Sequence, residues 1–186
     1  MHELFLDLET SGTDPGKHAI LSIGMVVSLN GLIDYQSFYR EIKYDELVIM
    51  PESIEINKFD FTTQKNRIPL SSAEEAAIIF LKKYYSVDEK PLPIGLNVGS
   101  FDMQFVSKQM PLLASKLSHR AVDLNSLMYI LAHKYSKNFK ELKQKMSDKA
   151  LEEVNQFALG VSQHNALYDA VFNLSLYLTI KKDLIC

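Results

Sequence analysis

The chain contains a single cysteine, Cys186, which is its last residue. No disulfide and no cysteine-based metal site can form within the chain, which is typical of proteins from a reducing compartment. No apolar run approaches the roughly 18–20 residues needed to cross a membrane. The first ten residues include Glu3, Asp7 and Glu9 and do not resemble a signal peptide. The sequence therefore predicts a cytoplasmic protein with no membrane-spanning segment.

An excess of positive charge is also lacking. The 186 residues carry a formal net charge of −3, so attraction of nucleic acid by bulk charge is excluded. Acidic residues are concentrated early, because residues 1–60 hold eleven Asp and Glu against four Lys and Arg. A hydrophobic content of 47% is ordinary for a globular protein, and this length allows a sizeable core. Since internal repeats, low-complexity tracts and interdomain linkers are absent, we expect one domain spanning residues 1–186.

Five apolar or alternating runs predict a β-sheet. The first alternates with period two, so Asp7 and Glu9 point to the same face of a strand. The second and third flank Asn30-Gly31, a strong hairpin signal, which makes the first three strands antiparallel. The predicted strands are residues 4–9, 19–29, 32–42, 91–97 and 121–124.

Helices are predicted between and after the later strands. Ser71 and Ser72 each precede a glutamate by three residues, a capping-box signature at the start of one helix. Other helical segments are residues 51–61, 99–110 and 125–182, the last with breaks near 137, 147 and 160–163. Antiparallel strands followed by alternating helices and strands predict an α/β domain with a mixed sheet.

Asp7 and Glu9 admit two interpretations. They could form the solvent face of an amphipathic strand. If the strand is central, however, buried acids are costly unless they have a partner. A divalent metal would be that partner, since Mg²⁺ and Mn²⁺ prefer carboxylate oxygens.

Two further motifs carry candidate functional residues. Asp102 follows an apolar strand, at the edge where α/β folds build sites, although a carboxylate there also favours a helix dipole. His164 is either an ordinary loop histidine or a general base, since its unperturbed pKa is about 6.5. Asn165 is expected to cap the last helix, with Asp169 facing inward from its second turn.

Together, the three motifs resemble those of the DEDDh 3′-to-5′ exonucleases, whose members include RNase T, oligoribonuclease and polymerase proofreading subunits. The first motif is residues 7–10, the second residues 97–102 and the third residues 164–170. Asp123 matches an acid often found on the fifth strand. Leu96 and the pair Asn57-Lys58 depart from the family's pattern and affect expected substrate contacts rather than the metal site.

The resemblance implies an RNase H-like fold, with a five-stranded mixed sheet flanked by α-helices. It also implies two Mg²⁺ or Mn²⁺ ions bound by four carboxylates, with His164 as the base that activates water. The expected reaction removes nucleoside 5′-monophosphates from the 3′ end of single-stranded RNA or DNA. The implied catalytic and metal-binding carboxylates are Asp7, Glu9, Asp102 and Asp169. The implied substrate contacts are Leu8, Thr10, Ser11, Gly12, Asn97, Phe101 and His164.

Three alternatives stay open. The chain could be a catalytically inactive nucleic-acid-binding module of the same fold, or a proofreading subunit of a polymerase. The lysines that recur between Lys134 and Lys149 fit a solvated helix face, or a track for the phosphate backbone. Similar small enzymes are commonly homodimers, although the sequence carries no interface signal of its own.

Overall fold

A computed structural model describes residues 2–29, 35–62, 66–155 and 165–185. Its centre is a five-stranded sheet with the strand order β3-β2-β1-β4-β5. The strands are β1 (His2–Thr10), β2 (Ile20–Leu29), β3 (Tyr35–Glu41), β4 (Pro93–Gly95) and β5 (Val122–Asp123).

The pairing pattern makes β1 the central strand. It pairs antiparallel with β2, which pairs antiparallel with β3, while β1 is parallel to β4 and β4 to β5. The predicted mixed sheet, with three antiparallel strands first, is therefore confirmed. Asp7 and Glu9 lie on the central strand, paired with Gly24 and Ser22 of β2 and just beyond the pairs that β1 makes with β4.

Seven helices are present in the described part of the chain. They are α1 (Pro51–Asn57), α2 (Leu70–Leu81), α3 (Asp102–Gln109), α4 (Pro111–Lys116), α5 (Leu124–Lys134), α6 (Phe139–Asn155) and α7 (Ala166–Ile185). No helix of the described residues is both long and apolar enough to cross a bilayer.

The alternation of β1 divides the buried side chains into two hydrophobic clusters. Leu4, Leu6 and Leu8 belong to a cluster with residues of α2, α3 and α4. Phe5 belongs to a second cluster with residues of α5, α6 and α7. Since side chains alternate along a strand, Asp7 and Glu9 share the face of Phe5 and point toward α7. The helices thus cover both faces of the sheet.

The capping box predicted at Ser71 and Ser72 is wrong. Both serines lie inside α2, whose N-cap position is Pro69 and has no side-chain capping bond. Glu74 is buried instead, and its Oε1 accepts hydrogen bonds from two backbone N–H groups at the start of α4, at 2.7 and 3.0 Å. The glutamate therefore caps another helix rather than its own.

Other element boundaries also differ from the prediction. The helix expected from residue 99 begins at Asp102, and Pro111 starts α4 rather than simply ending a helix. No break occurs at Ser147, because the buried face of α6 continues through Met146 and Ala150. The break near Lys137 is confirmed, whereas residues 32–34 and 160–163 lie outside the described residues.

Candidate metal centre and active site

Three carboxylates from opposite ends of the chain meet at one end of the sheet. Asp7 and Glu9 come from β1 and Asp169 comes from α7. Each contributes one carboxylate oxygen to a group whose members all lie within 4.8 Å of one another. The spacing of Asp7 and Glu9 on one strand face therefore produces the predicted convergence with the third motif.

The start of α7 is held by local hydrogen bonds. Asn165 Oδ1 accepts the Leu167 N–H at 3.0 Å, which confirms the predicted cap. The Asp169 N–H donates to the Asn165 carbonyl at 2.9 Å, so Asp169 belongs to the first turn rather than the second. The side chain of Asp169, the fourth residue of α7, therefore points toward β1.

Asp102 is fixed by the way the sheet ends. Strand β4 pairs with β1 only at Leu4 and Phe5, so the Leu8 N–H lies beyond the end of β4. Asp102 Oδ1 accepts this N–H at 2.9 Å and replaces the missing strand neighbour. The residue is only 3% exposed and lies outside the group of three mutually close oxygens. Asp102 still interacts electrostatically with this group, because its charge raises the pKa of both Asp7 and Glu9.

Burial and mutual repulsion raise the free energy of the state in which all of these carboxyl groups are ionised. Burial, followed by the charges of Asp102, Asp169 and Glu9, holds the pKa of Asp7 well above its usual range. Burial, the charges of Asp169 and Asp102, and a hydrogen bond with Asp169 raise the pKa of Glu9 to about 8. Burial raises the pKa of Asp102 to about 7, although hydrogen bonds from its own amide and from Leu8 oppose the change.

The donor set fits a divalent cation. Carboxylate oxygens are the hard ligands that Mg²⁺ and Mn²⁺ prefer. A cation placed between them would reverse the sign of the local field and favour the ionised carboxylates, which offsets the cost of their burial and mutual repulsion. Asp7, Glu9 and Asp169 would hold it, since their oxygens are already close together.

The loop after β1 is held by its own polar side chains. Thr10 Oγ1 donates to the Gly12 carbonyl at 2.7 Å, and Ser11 Oγ donates to the Val48 carbonyl at 2.7 Å. A Cβ at Gly12 would overlap the imidazole ring of His18, so a larger residue here would displace that ring. The predicted substrate contacts of this loop stay predictions.

The other predicted substrate contacts differ in exposure. Leu8 is buried in the cluster beneath α3, and its N–H is taken by Asp102. Asn97 is exposed, with a left-handed φ of 56°, and its Oδ1 accepts from Asn125 Nδ2 at 3.0 Å. Phe101 is partly buried against Phe105, with ring centroids 5.3 Å apart. Phe101 directly precedes Asp102 and Asn97 lies five residues before it, both in the segment between β4 and α3.

His164, predicted both as the base and as a substrate contact, lies outside the described residues. Asp123 acts as the N-cap of α5, its Oδ1 accepting the Asn125 N–H at 2.8 Å.

The row of lysines begins far from the carboxylates, because Lys134 Nζ donates to the Asp183 carbonyl. Asp183 is in the last turns of α7, about 20 Å along the helix from Asp169 at 1.5 Å per residue.

Sequence reasoning gave no site role to three residues that hold the surroundings of the cluster. Asn57 Nδ2 donates to the Thr10 carbonyl at 3.0 Å. Gln109 bonds the loop before β2, and Tyr39 bonds Asn165. The sequence carries no signal for these contacts, since each joins residues at least 47 positions apart. In the sequence, Asn57 stands out only as a departure from the family's motif pattern.

Known proteins are similar to this chain in sequence. The chain is 26% identical over 172 residues to an oligoribonuclease of Buchnera aphidicola, covering 89% of this chain and 91% of that protein. It is 25% identical over 187 aligned positions to the 3′-5′ DNA exonuclease Cap18 of Escherichia coli, covering 97% and 92%.

A solved structure gives the same fold. The zinc-bound complex of Escherichia coli exonuclease I with single-stranded DNA superposes with a TM-score of 0.67 at 14% identity. The match covers 97% of this chain but only 40% of exonuclease I, so the chain spans less than half of that enzyme. The predicted RNase H-like fold is confirmed.

The family resemblance is confirmed by a family model as well. A sequence model of the exonuclease family named after RNase T matches residues 4–177, which include β1, Asp102 and the start of α7. The carboxylates that meet at the sheet therefore lie within the matched region, and the chain belongs to the RNase T exonuclease family of nucleases.

Proposed function

We propose that the chain is a 3′-to-5′ exonuclease that hydrolyses single-stranded nucleic acid and releases nucleoside 5′-monophosphates. The observation that carries this proposal is the group formed by Asp7, Glu9 and Asp169, with Asp102 beside it. Names of relatives support the same activity, because they include oligoribonucleases and a 3′-5′ DNA exonuclease.

The proposed cofactor is a pair of Mg²⁺ or Mn²⁺ ions. Bound divalent ions would neutralise the phosphodiester, lower the pKa of the attacking water and stabilise the leaving 3′ oxygen. Asp7, Glu9 and Asp169 would hold one ion, and Asp7 would share the second with Asp102, directly or through water. The carboxylates thus change from mutually repelling anions into ligands.

The chain's own residues would orient the substrate and move the proton. We assign His164 as the general base that takes a proton from the attacking water, on the ground of its position in the third motif. The main chain of Thr10, Ser11 and Gly12, in a loop held by hydrogen bonds of the Thr10 and Ser11 side chains, would receive the 3′-terminal nucleotide. Asn97 and Phe101 would contact it from the edge that carries Asp102.

The test uses 5′-labelled RNA and DNA oligonucleotides with Mg²⁺ or Mn²⁺, beside an Asp7→Asn variant. We expect a ladder that shortens from the 3′ end with the wild-type protein, and a rate at least about a hundredfold lower with the variant. The faster substrate assigns the preference between RNA and DNA. A folded wild-type protein that binds the oligonucleotide without shortening it would favour an inactive binding module instead.

Two further expectations belong to the same proposal. Homodimerisation is expected by likeness to small enzymes of this kind, and sedimentation equilibrium of the purified chain measures it. The cytoplasm is the proposed compartment, and fractionation of the source cells tests it.

A further inference from the structure

One row of residues runs across three strands beneath the start of α7. In the strand register, Asp7 of β1 is opposite Gly24 of β2, and Gly24 is opposite Tyr39 of β3. Neighbours across a sheet point to the same face, so all three positions face α7. Phe38, the residue before Tyr39, packs on the opposite face with the α2 cluster. The first turn of α7 therefore lies above a continuous row that begins at a proposed metal ligand.

The middle of this row accepts the backbone of α7 at close range. A Cβ at Gly24 would lie 2.1 Å from the Ala166 carbonyl oxygen and 2.5 Å from the Leu167 nitrogen. Both are backbone atoms, which cannot move without moving the helix. Gly24 thus sets how closely α7 approaches the sheet.

The outer end of the row determines where α7 begins. The Tyr39 hydroxyl accepts a hydrogen bond from Asn165 Nδ2 at 3.0 Å and donates one to Glu41 Oε1 at 2.9 Å. Glu41 Oε2 pairs with Arg67 Nε at 3.0 Å, and the Arg67 side chain is only 6% exposed. Because Glu41 accepts the hydroxyl proton and is itself fixed by Arg67, the hydroxyl oxygen presents its lone pairs to Asn165.

Asn165 passes this constraint on to the metal ligand. Its Oδ1 caps the helix at Leu167, and its carbonyl accepts the Asp169 N–H at 2.9 Å. Both ends of the residue are therefore engaged, the side-chain amide with Tyr39 and the main chain with Asp169. A shift of Asn165 would shift Asp169 relative to Asp7.

We propose that Tyr39 is a positioning residue, which holds Asn165 and so sets the separation of Asp169 from the carboxylates of β1. The inference rests on the proposed function, because it assumes that these carboxylates bind a divalent ion. The Tyr39 hydroxyl bonds Glu41 and Asn165, which are not among the three clustered carboxylates. Its effect is transmitted through the first turn of α7, while Gly24 provides the space that this turn needs.

The test measures Mn²⁺ binding to the metal-free protein by calorimetry, without substrate. Tyr39→Phe removes only the hydroxyl, and Asn165→Ser removes the donor to Tyr39 while keeping a good helix cap. We expect each variant to raise the Mn²⁺ dissociation constant roughly tenfold, as loss of an outer contact to a metal site commonly does. The double variant should bind Mn²⁺ no more weakly than the single variant of lower affinity, since both substitutions break the same hydrogen bond.

Tyr177→Phe is the matched control. Tyr177 belongs to α7 and its hydroxyl also bonds a residue of the sheet, Glu3 Oε1 at 2.9 Å, but it lies eight residues beyond Asp169. We expect this variant to bind Mn²⁺ like the wild type, even if its melting temperature falls. A general loss of stability would instead weaken Mn²⁺ binding in both tyrosine variants.

Activity gives a second measurement that a purely structural role would not change. In Tyr39→Phe the Mn²⁺ concentration for half-maximal rate should rise, while KM for the oligonucleotide at saturating Mn²⁺ stays unchanged. Wild-type Mn²⁺ affinity in a folded Tyr39→Phe protein, or additive effects of the two substitutions, would overturn the inference and leave the exonuclease proposal intact. Absence of Mn²⁺ binding by the wild-type protein would overturn both.

Discussion

At the scale of single residues, the cluster is defined by the cost of its charges. Asp7 and Glu9 of β1 and Asp169 of α7 bring one carboxylate oxygen each within 4.8 Å of the others, with Asp102 at the adjacent edge. Burial and three neighbouring carboxylates raise the pKa of Asp7, so its charged form is disfavoured in the metal-free fold. Such a residue contributes to function at the expense of stability, because its ionised form needs a cation as partner.

Replacing Asp7 by Asn should therefore separate function from stability. We expect Asp7→Asn to leave the melting temperature in EDTA unchanged or higher than that of the wild type, because the change removes repulsion at a buried position. Thermal unfolding with and without Mn²⁺ measures the effect, and the stabilisation by Mn²⁺ should be lost in the variant.

Asp123→Asn is the control for this change. Asp123 caps α5 through its Oδ1, and asparagine caps nearly as well, so this variant should keep the stabilisation by Mn²⁺. A clear fall in the melting temperature of metal-free Asp7→Asn would contradict the view that the buried Asp7 carboxyl group destabilises the folded protein.

His164 is assigned a different task from that of the carboxylates. If it moves a proton without binding metal, His164→Ala should lower kcat by about 10²–10⁴ while Mn²⁺ affinity stays near the wild-type value. Single-turnover rates and calorimetry measure the two quantities separately. A collapse of Mn²⁺ affinity would make His164 a ligand, and an unchanged rate would remove it from the mechanism.

At the scale of elements, α3 holds the active-site edge at both of its ends. Its first residue, Asp102, binds the Leu8 N–H of β1. Its last residue, Gln109, accepts the Ile20 N–H at 3.2 Å and donates to the Pro15 and His18 carbonyls at 3.0 and 2.6 Å. One helix thus fixes the end of β1, the start of β2 and the loop between them.

Loss of the Gln109 amide should loosen this loop. Methionine has a similar length but cannot make these hydrogen bonds, so Gln109→Met leaves three backbone groups to find other partners. We expect a loss of about 1–2 kcal/mol in the free energy of unfolding and faster amide hydrogen exchange at Ile20. Chemical denaturation and exchange measured by NMR test both expectations.

The same substitution at Gln104 provides the comparison within α3. Gln104 is exposed, and its Nε2 lies 3.5 Å from the Gly99 carbonyl, at the limit of a hydrogen bond. Gln104→Met should change the free energy of unfolding by less than about 0.5 kcal/mol. Equal effects at the two positions would contradict the role of Gln109 in holding the loop between β1 and β2.

Elements defined by local patterns were predictable, whereas long-range contacts were not. The alternation of β1 and the cap at Asn165 depend on neighbouring residues, and the structure has both. The capping box at Ser71 and Ser72 failed because Glu74 is used 38 residues away, at the start of α4. Tyr39 was missed for the same reason, since its partner Asn165 is 126 positions distant.

At the scale of the whole molecule, the site joins the two ends of the described chain. Asp7 and Glu9 come from the first strand and Asp169 from the last helix, so the cluster forms only when α7 docks on the sheet. Metal binding and folding are therefore coupled, because the unfolded chain does not hold these carboxylates together. This coupling gives the stability of the protein a characteristic dependence on pH.

In the absence of metal, stability should fall as the pH rises. The folded-state pKa values of Glu9 and Asp102 are about 8 and about 7, both above the usual values of unfolded carboxyl groups near 4. The folded state therefore binds more protons between pH 4 and 8, and this contribution is complete below pH 4 and lost as the pH passes 7 to 8. We expect the free energy of unfolding in EDTA to fall by several kcal/mol, up to about 6, from pH 5 to 8.

Saturating Mg²⁺ or Mn²⁺ should reverse this trend, because the cation binds the ionised carboxylates of the folded state and is displaced by protons. Chemical denaturation at several pH values, with EDTA or with metal, gives the two curves. The Asp7→Asn variant isolates the contribution of the cluster from that of groups elsewhere in the chain, since its curve in EDTA should be flatter than that of the wild type. Identical curves for the two proteins in EDTA would mean that the four carboxylates do not interact as the structure places them.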